Sequence, residues 1–315
     1  MKKSIRQQRH LAITTRRALA GSALGLLWLL SAPGLASAQY ALTQLDVPGS
    51  VATYADGNGV QRIVGEFDDE DGNTHGFVLR KGEFTQFDVP DAQGFTSING
   101  INASGERAGT YFSGDRWYGY FWSHGVVTPL DPPGSTFSLA GFLNAKGQVV
   151  GFYRTGPNGT GTRRGYIWRD GVFTPVDVPG AGPRGTWPSG INDRGQVVGA
   201  YWDQDGKQHG FLLSRGVYTT LDVPGSEGPG ITFAQGINNA GLIVGLYATG
   251  TDGLDQGFVL SDKGYTTVNM PGAAWTDIYS VNAMGDIVGA FEDENGIHAL
   301  RGTPAGRLLP DPPAE

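Results

Sequence analysis

Three histidines stand at the same place in three copies of a short pattern. His75, His209 and His298 each come directly before a small residue and then an apolar one. A histidine can act as a general base, and its neutral ring can bind a metal ion. Equivalent positions of a repeat lie one unit apart, so the three cannot share one metal ion unless they face a common axis. We therefore expect each histidine to be hydrogen-bonded at the start of a strand, with catalysis or ligation as the alternative.

Acidic turns are the second group of residues that could do chemistry. Carboxylates cluster before a glycine at 68–72, 203–206 and 293–296, and alternating carboxylates are typical of calcium loops. None of the three has the full EF-hand spacing with a distal glutamate, and two copies of the repeat have other sequences in place of the acidic cluster. An Asp-Gly pair is also what a tight hairpin requires. We expect no cofactor, and calcium stays open as the alternative.

Tryptophan and arginine collect in the segments that vary most between copies. Because binding residues favour variable loops on a rigid scaffold, and Trp and Arg are common anchors of interfaces, these side chains are predicted to bind a ligand. The alternative is that they only cover the edges of sheets. The predicted binding residues are Trp117, Arg163, Arg164, Arg184, Trp187, Trp275 and Asp277.

Motifs of known catalytic centres are missing from the sequence. It contains no Gly-x-Ser-x-Gly elbow, phosphate-binding loop or zinc-protease helix, so no catalytic residue and no metal site is predicted. Cysteine is absent, which excludes disulfides and thiol chemistry.

The elements that must position these residues are given by an internal repeat with three marks. An Asn precedes a Gly by seven residues, a small residue precedes an aromatic or Leu, and an Asp-x-Pro corner closes the unit. The corners begin at Asp46, Asp88, Asp131, Asp177, Asp222 and the variant Asn269. Successive corners are 42 to 47 residues apart, which suits one four-stranded propeller blade per repeat.

The interior of one repeat predicts four short strands joined by three tight turns. In residues 186–225, strands are expected at 187–191, 196–202, 209–213 and 217–221. Six such copies predict an all-β, six-bladed β-propeller of four-stranded antiparallel blades. The strand at 40–45 carries a complete corner and is predicted to close the ring, since 307–309 is a weak candidate. An open β-solenoid is the competing architecture.

Export is predicted from the first residues. Residues 1–38 have a basic region, an apolar stretch and an Ala36-Ser37-Ala38 cleavage pattern, as in a secretory signal peptide. The propeller is assigned to 39–309 and a short tail to 310–315. Removing six basic residues with the signal leaves 17 basic and 30 acidic residues. This acidic balance excludes a nucleic-acid partner, and we expect a secreted monomer, extracellular or periplasmic, without a membrane span.

At its repeat marks the chain resembles the bacterial extracellular repeat proteins named for a His-Ala-Phe motif. The matching residues are His75-Gly76-Phe77, His209-Gly210-Phe211 and His298-Ala299-Leu300. The chain departs from that motif by placing Gly where the name has Ala in two of these three copies, and by losing His in the other three copies. The resemblance implies a secreted, propeller-like repeat protein and supplies no catalytic residues.

Three functions remain open from the sequence. The leading hypothesis is a non-enzymatic scaffold that binds a glycan or a protein through its loop-rich face, with glycan stacking on Trp117, Trp187 or Trp275. The alternative is a secreted lyase or hydrolase acting on an acidic polysaccharide, in which Arg163 or Arg184 holds the substrate. The third is a surface spacer without a specific ligand.

Overall fold

The computed structural model describes residues 40–59, 61–226, 230–249 and 254–306. The predicted signal peptide at 1–38, the strand candidate at 307–309 and the predicted tail at 310–315 lie outside them. The described residues contain 24 strands and one 3-10 turn, Pro157–Gly159. Within these ranges, no helix has the length and apolar character needed to cross a lipid bilayer.

The strands follow the predicted order of four per repeat, and we call each group of four a meander. Meander 1 contains β2 (Ala52–Asn58), β3 (Ile63–Asp68), β4 (Thr74–Arg80) and β5 (Glu83–Phe87), and meander 2 contains β6 (Thr96–Ile101), β7 (Arg107–Ser113), β8 (Arg116–Ser123) and β9 (Val126–Leu130). Meander 3 contains β10 (Phe137–Leu143), β11 (Val149–Arg154), β12 (Arg164–Arg169) and β13 (Val172–Pro175), and meander 4 contains β14 (Thr186–Ile191), β15 (Val197–Trp202), β16 (Gln208–Ser214) and β17 (Val217–Leu221). Meander 5 contains β18 (Ile231–Ile237), β19 (Ile243–Ala248), β20 (Gln256–Ser261) and β21 (Gly264–Val268), and meander 6 contains β22 (Trp275–Val281), β23 (Ile287–Asp293), β24 (Gly296–Pro304) and the N-terminal β1 (Tyr40–Gln44).

The fold is an all-β propeller of four-stranded blades. Meanders 2 to 5 are separate four-stranded sheets, whereas meanders 1 and 6 belong to one eight-stranded sheet. The link inside that sheet is a single parallel pair, Ala52 with Ile297, and β1 pairs antiparallel with β24. The innermost strands β2, β6, β10, β14, β18 and β22 each contact the next, and β22 contacts β2. This closed cycle of contacts excludes the open β-solenoid.

Two of the repeat marks meet in the core of every meander. The glycine of the second strand pairs across the sheet with the aromatic or Leu residue of the third strand, as Gly199 does with Phe211. A Cβ at Gly199 would overlap the carbonyl oxygen of Trp187 on the inner strand and would press on the Phe211 ring. The bare glycine lets the inner strand approach, and the neighbouring ring fills the space beside it. The third-strand residues, all fully buried, are Phe77, Tyr120, Tyr166, Phe211, Phe258 and Leu300.

The repeated asparagine forms a belt that links meanders at their short-turn end. In meander 4, Asn192 Oδ1 accepts hydrogen bonds from the backbone N–H groups of Arg194 and Gln196, which fixes the turn. Its Nδ2 donates to the Gln196 side chain and to the Asn238 carbonyl of the next meander, at 2.9 and 3.0 Å. The same inter-meander bond runs from Asn102 to Asn144, from Asn144 to Asn192, from Asn238 to Asn282 and, at 3.5 Å, from Asn282 to Gly59. We call this the asparagine belt.

The belt stops between meanders 1 and 2. Asn58 does not donate to Asn102; its Nδ2 donates backward to the Asp286 carbonyl at 2.8 Å, and its Oδ1 accepts from Ser280. The turn after Asn58 has Gln61 where the five other copies have glycine. Meander 1 is therefore tied to meander 6 but not, through this belt, to meander 2.

Candidate ligand-binding site

A bulge in each inner strand places one residue against the propeller axis. All six inner strands shift register at the same point of their pairing with the second strand, for example between Ala234 and Gly236. The extra residue of a bulge is left out of the ladder and its side chain is re-aimed. The six bulge residues all line one cavity, and they are Asp56, Asn99, Gly141, Ser189, Gln235 and Tyr279.

These bulge residues differ from copy to copy although their neighbours barely change. The residue before the bulge is small or aliphatic in every copy, as in Ala55 and Ile278. Three residues before the bulge, each copy has a buried Thr or Ser, such as Thr232, whose hydroxyl accepts a hydrogen bond from the corner backbone. At the bulge position itself, the six copies instead have a carboxylate, two amides, a hydroxyl, a phenol and a glycine. Variation inside an otherwise constant scaffold marks the surface where individual side chains matter.

The bulge residues form a polar ring with unused hydrogen-bonding capacity. Ser189 Oγ donates to Gln235 Oε1 at 2.8 Å, and Asn99 Nδ2 donates to the Ala140 carbonyl at 2.6 Å. Among the described residues, the Nε2 of Gln235 has no hydrogen-bond partner, and Gln235 is only 2 % exposed. The cavity measures about 50 Å³, room for a few waters. A larger ligand can reach the ring only with an edge or a side group, from the end of the channel.

An aromatic cluster surrounds the loop-rich end of this channel. Trp187, two residues before a bulge, packs with Phe152 and Phe233 at ring-centroid distances of 4.8 and 5.1 Å. Arg163 lies over this cluster, with its guanidinium carbon 4.5 Å from the Trp202 ring and 5.5 Å from the Trp187 ring. These contacts combine aromatic packing with a cation–π interaction.

Three of the predicted binding residues are brought together here. Arg163 donates from Nη1 to the carbonyl of Arg184, and the side chain of Arg184 is exposed. Trp117 is half-buried, packs on the same cluster and makes an edge contact of 4.6 Å with Phe95. Trp117, Arg163 and Trp187 thus belong to one cluster, and Arg184 borders it.

The remaining predicted residues lie elsewhere. Trp275 and Tyr279 are buried in a cluster shared by meanders 1 and 6, where Trp275 Nε1 donates to Glu292 at 2.5 Å. Asp277 is 5 % exposed and accepts a hydrogen bond from the Tyr279 hydroxyl at 3.2 Å. Arg164 is exposed at the first position of β12.

Two details of the sequence interpretation need correction. The predicted loop position is wrong for Trp117, Trp275 and Asp277, which lie in strands because the strands extend up to this face, whereas Trp187 lies in the strand predicted at 187–191. Glycan stacking on Trp187 or Trp275 is also contradicted, since these side chains are 8 % and 5 % exposed and offer no open ring face. Trp117 is half-buried, and stacking on it stays a prediction.

Each of the three histidines connects the corner of its meander to the acidic turn. His209 lies between two carboxylates, with Nδ1 2.8 Å from Asp222 of the corner and Nε2 3.2 Å from Asp203 of the acidic turn. His75 bridges Asp88 and Asp69, and His298 bridges Asp46 and Asp293, in the same way. Each histidine is thus engaged by its own meander, as the hydrogen-bonded interpretation expected.

Hydrogen bonds and charge shift the pKa values in these bridges. Burial lowers the pKa of His75, but Asp69 and Asp88 outweigh it and raise the pKa above its ordinary value. Hydrogen bonds from the backbone and side chain of Asn73, with His75, lower the pKa of Asp69 to about 2. The turn carboxylates therefore already accept hydrogen bonds from their own turns. Across the described ranges, no group of three or more His, Asp or Glu side chains is placed to hold a metal ion.

Where histidine is lost, the corner partner changes with it. In meander 5 the corner residue is Asn269 and the residue at the histidine position is Gln256, and Asn269 Nδ2 donates to Gln256 Oε1. In meander 2, Arg116 pairs with the corner carboxylate of Asp131. The corner is therefore a two-residue unit that can be charged or neutral.

The opposite end of the axis has a wider cavity of about 390 Å³. Its lining consists of the short asparagine turns of the meanders, including Asn102, Asn192 and Asn238. The side-chain amides of these three asparagines are already committed to the belt. The loop-rich end, with its variable ring and aromatic cluster, is the better candidate for a ligand.

Comparison with known proteins supports the fold. No sequence model of a known family matches the chain, and no curated protein matches its sequence. AofleA from Arthrobotrys oligospora is similar over 88 % of this chain and 89 % of its own, with a TM-score of 0.52 and 12 % identity. These values show a shared fold and nothing about ligands.

Two further solved structures resemble the chain less closely. A fucose-specific lectin from Aleuria aurantia is similar over 84 % of this chain and 100 % of its own, with a TM-score of 0.49 and 13 % identity. Virginiamycin B lyase from Staphylococcus aureus is similar over 85 % and 90 %, with a TM-score of 0.48 and 12 % identity.

Sequence reasoning missed the ring of bulge residues. A bulge leaves no obvious mark within one strand, since it changes the pairing and not the composition. The signal was available in the alignment of copies: the column of Asn99, Ser189 and Gln235 varies between columns that are nearly constant.

Proposed function

We propose that this protein is a secreted, non-enzymatic binding protein that takes a glycan at the loop-rich end of its axial channel, a protein being the other ligand for this surface. The observation that carries the proposal is the ring of six bulge residues around one cavity. The six copies have similar residues at the positions on either side of the bulge, and different residues at the bulge, which faces the axis.

The chemistry around the channel suits a sugar. Hydroxyl groups need donors and acceptors at several angles, and Gln235, Asn99 and Ser189 supply amides and a hydroxyl. The apolar face of a sugar ring needs an aromatic surface, which half-buried Trp117 can offer. Exposed Arg184 borders the same cluster and adds a charged donor. A few polar groups within an aromatic wall are typical of small-ligand sites.

The architecture around this site completes the proposal. We take the eight-stranded sheet as two blades joined by one bridge, so that the molecule is a six-bladed propeller whose ring the N-terminal strand closes. Residues 39–309 then form one domain, and 1–38 direct its export. We also propose that the protein is related to the His-Ala-Phe repeat proteins, because in three meanders a histidine of this motif pairs with the aspartate of the corner; we call this pair the histidine–corner unit.

A glycan array tests the function directly. Labelled protein beginning at residue 39 should bind a defined group of glycans. Gln235→Ala and Trp117→Ala should each weaken binding about tenfold, because each removes one contact from the ring or the stacking surface. Titration calorimetry with the best glycan would give the two ratios.

Val217→Thr is the matched control, since Val217 is exposed on an outer strand far from the axis in the sheet order. It should bind as the unmodified protein does. Thermal melting would show that all variants are folded. The absence of any array hit, or unchanged affinity in both test variants, would contradict glycan binding at this end.

One observation favours an enzyme as the second candidate. Asp56 and Glu66 are both buried and line the axial cavity, and a pair of carboxylates can act as general acid and base. A lyase or hydrolase acting on an acidic polysaccharide would release reducing ends or unsaturated sugars. Their appearance with the unmodified protein, and their loss with Glu66→Gln, would favour the enzyme over the binder.

A further inference from the structure

A groove between meanders 1 and 2 departs from the repeat in its charge. It measures about 440 Å³ and opens beside the short turns, where Arg62, Arg80 and Arg107 line it together with Trp122 and Phe87. No carboxylate belongs to its lining within the described ranges. Three arginines in one groove are notable in a chain with 23 basic and 30 acidic residues.

Arg107 is the clearest departure. It is the first residue of the second strand, where the other copies have an aliphatic residue that is buried or half-buried: Ile63, Val149, Val197, Ile243 and Ile287. Arg107 instead stacks its guanidinium on Trp122 and Phe87, at 4.3 and 4.8 Å from the ring centroids. Its Nε is buried and has no hydrogen-bond partner among the residues that the structure describes.

Arg62 is the second departure. It occupies the place four residues after the repeated asparagine, where Glu106, Gln148, Gln196 and Asp286 each accept a hydrogen bond from that asparagine. Neither Arg62 nor Leu242 of meander 5 can accept one; the inter-meander bond of the belt is present in meander 5 and missing beside Arg62. Two exceptions to the repeat thus meet in one groove.

The three guanidinium groups lack partners in the described part of the chain. None of Arg62, Arg80 and Arg107 makes a side-chain hydrogen bond or ion pair there, whereas Arg116 and Arg169 pair with Asp131 and Asp170. The nearby Glu106 is engaged by Asn102 and Ser123. Burial lowers the pKa of Arg107, and the charge of Arg62 lowers it further. A cation that is partly desolvated and unpaired gains most from an incoming anion.

We infer that this groove binds a small ligand that carries an oxyanion, such as the carboxylate of an acidic sugar or a sulfate or phosphate group. The guanidinium groups of Arg62, Arg80 and Arg107 donate to the anion. The aromatic wall of Trp122 and Phe87 holds Arg107 in place and borders the ligand. The volume of the groove suits one sugar unit. This site is separate from the loop-rich end and does not depend on the function proposed there.

The other copies supply variants that should fold. Arg107→Val installs the residue found at this place in meanders 3 and 4. Arg80→Ser installs the residue of Ser123, Ser214 and Ser261, which occupy the same register position. Arg169→Ser is the matched control, because Arg169 holds that position in meander 3, outside the groove.

Titration calorimetry would measure binding of galacturonate, galactose, sulfate and phosphate to the folded protein. We expect galacturonate to bind and galactose not to bind; sulfate and phosphate would bind as well if the anion alone suffices. Arg107→Val should weaken binding at least about tenfold and Arg80→Ser about threefold, while Arg169→Ser should leave binding unchanged.

Thermal melting gives a second readout. Bound anion should raise the melting midpoint of the unmodified protein and not that of Arg107→Val. Without ligand, Arg107→Val should melt at or above the unmodified protein, since an aliphatic side chain replaces a partly buried cation. Equal binding by Arg107→Val, or no binding of galacturonate, sulfate or phosphate below about 10 mM, would overturn the inference.

Discussion

The junction between meanders 1 and 2 and the junction between meanders 4 and 5 are built on the same plan but held differently. At the 4–5 junction, Asn192 fixes its own turn and donates to the Asn238 carbonyl, so that every polar atom of its side chain is used. At the 1–2 junction no such bond is made between the described residues, and arginines line a groove in its place. The belt stabilises a junction, and its absence leaves a surface that a ligand can use.

The difference also shows how a repeat protein separates stability from function. Buried polar groups stabilise only when they are satisfied, and an unsatisfied one costs free energy. The belt follows this rule at five places, whereas at the junction without the belt the buried Nε of Arg107 has no hydrogen-bond partner among the described residues. A residue that breaks the rule in one copy, while five copies follow it, is expected at a functional position.

The first test concerns what both junctions share, and it should have the largest effect. Gly199→Ala should prevent folding or reduce the free energy of unfolding by about 4 kcal/mol, because the added carbon overlaps the Trp187 carbonyl oxygen and neither strand can retreat. Denaturant unfolding followed by tryptophan fluorescence would measure it.

Gly195→Ala is the control for that prediction. Gly195 has a φ of 75°, and an added side-chain carbon would meet no described atom within 4 Å, so only the left-handed backbone is penalised, by about 1–2 kcal/mol. Should the two variants lose equal stability, close strand approach would not be the reason for the repeated glycine.

The second test separates the two junctions. Asn192→Ala removes four hydrogen bonds from a buried site and should cost about 3 kcal/mol. Asn58→Ala removes two from a half-buried site and should cost about 1–2 kcal/mol. Chemical denaturation of both variants would measure the gap, and an equal or larger loss for Asn58→Ala would refute the comparison.

The fold could be predicted from the sequence because its causes are local and repeated. The strands predicted at 187–191, 196–202, 209–213 and 217–221 agree with β14 to β17 within one residue at each end. The Gly-aromatic mark fixes a close contact in all six meanders, and the Asn mark fixes the short turn in five of them. The pairing of β1 with β24 followed from the complete corner at Asp46.

The candidate site could be predicted only in part, because it depends on contacts between copies. Trp187 was recognised as unusual, but its burial under Phe152 and Phe233 comes from neighbouring meanders. The bulge that exposes Gln235 to the axis is a property of strand pairing. An alignment of the copies shows Arg107 at a place where the others have Ile or Val. The groove around it cannot be inferred from that alignment, because it depends on how meanders 1 and 2 are placed relative to each other.

The smallest expected effect concerns the corner, which is present both at the 1–2 junction and at the junctions that the asparagine belt links. His75→Gln with Asp88→Asn would copy the neutral Gln256–Asn269 pair of meander 5 into the corner that leads to the 1–2 junction. At neutral pH the double variant should lower the melting midpoint by only about 1–2 °C, because such partly exposed pairs contribute little.

The pH dependence of melting decides whether the charge of that corner matters. The raised pKa of His75 means that its contribution to stability is complete below the unfolded value of 6.5 and is lost as the pH rises through the folded value. The unmodified protein should therefore lose more stability than the double variant between about pH 6 and 8. Gln256→His with Asn269→Asp should add a slope of the same sign to meander 5, because it supplies the histidine and the corner carboxylate. Parallel melting curves for all three proteins would mean that the histidine–corner unit acts through hydrogen bonds alone and that its charge is incidental to holding the meanders in place.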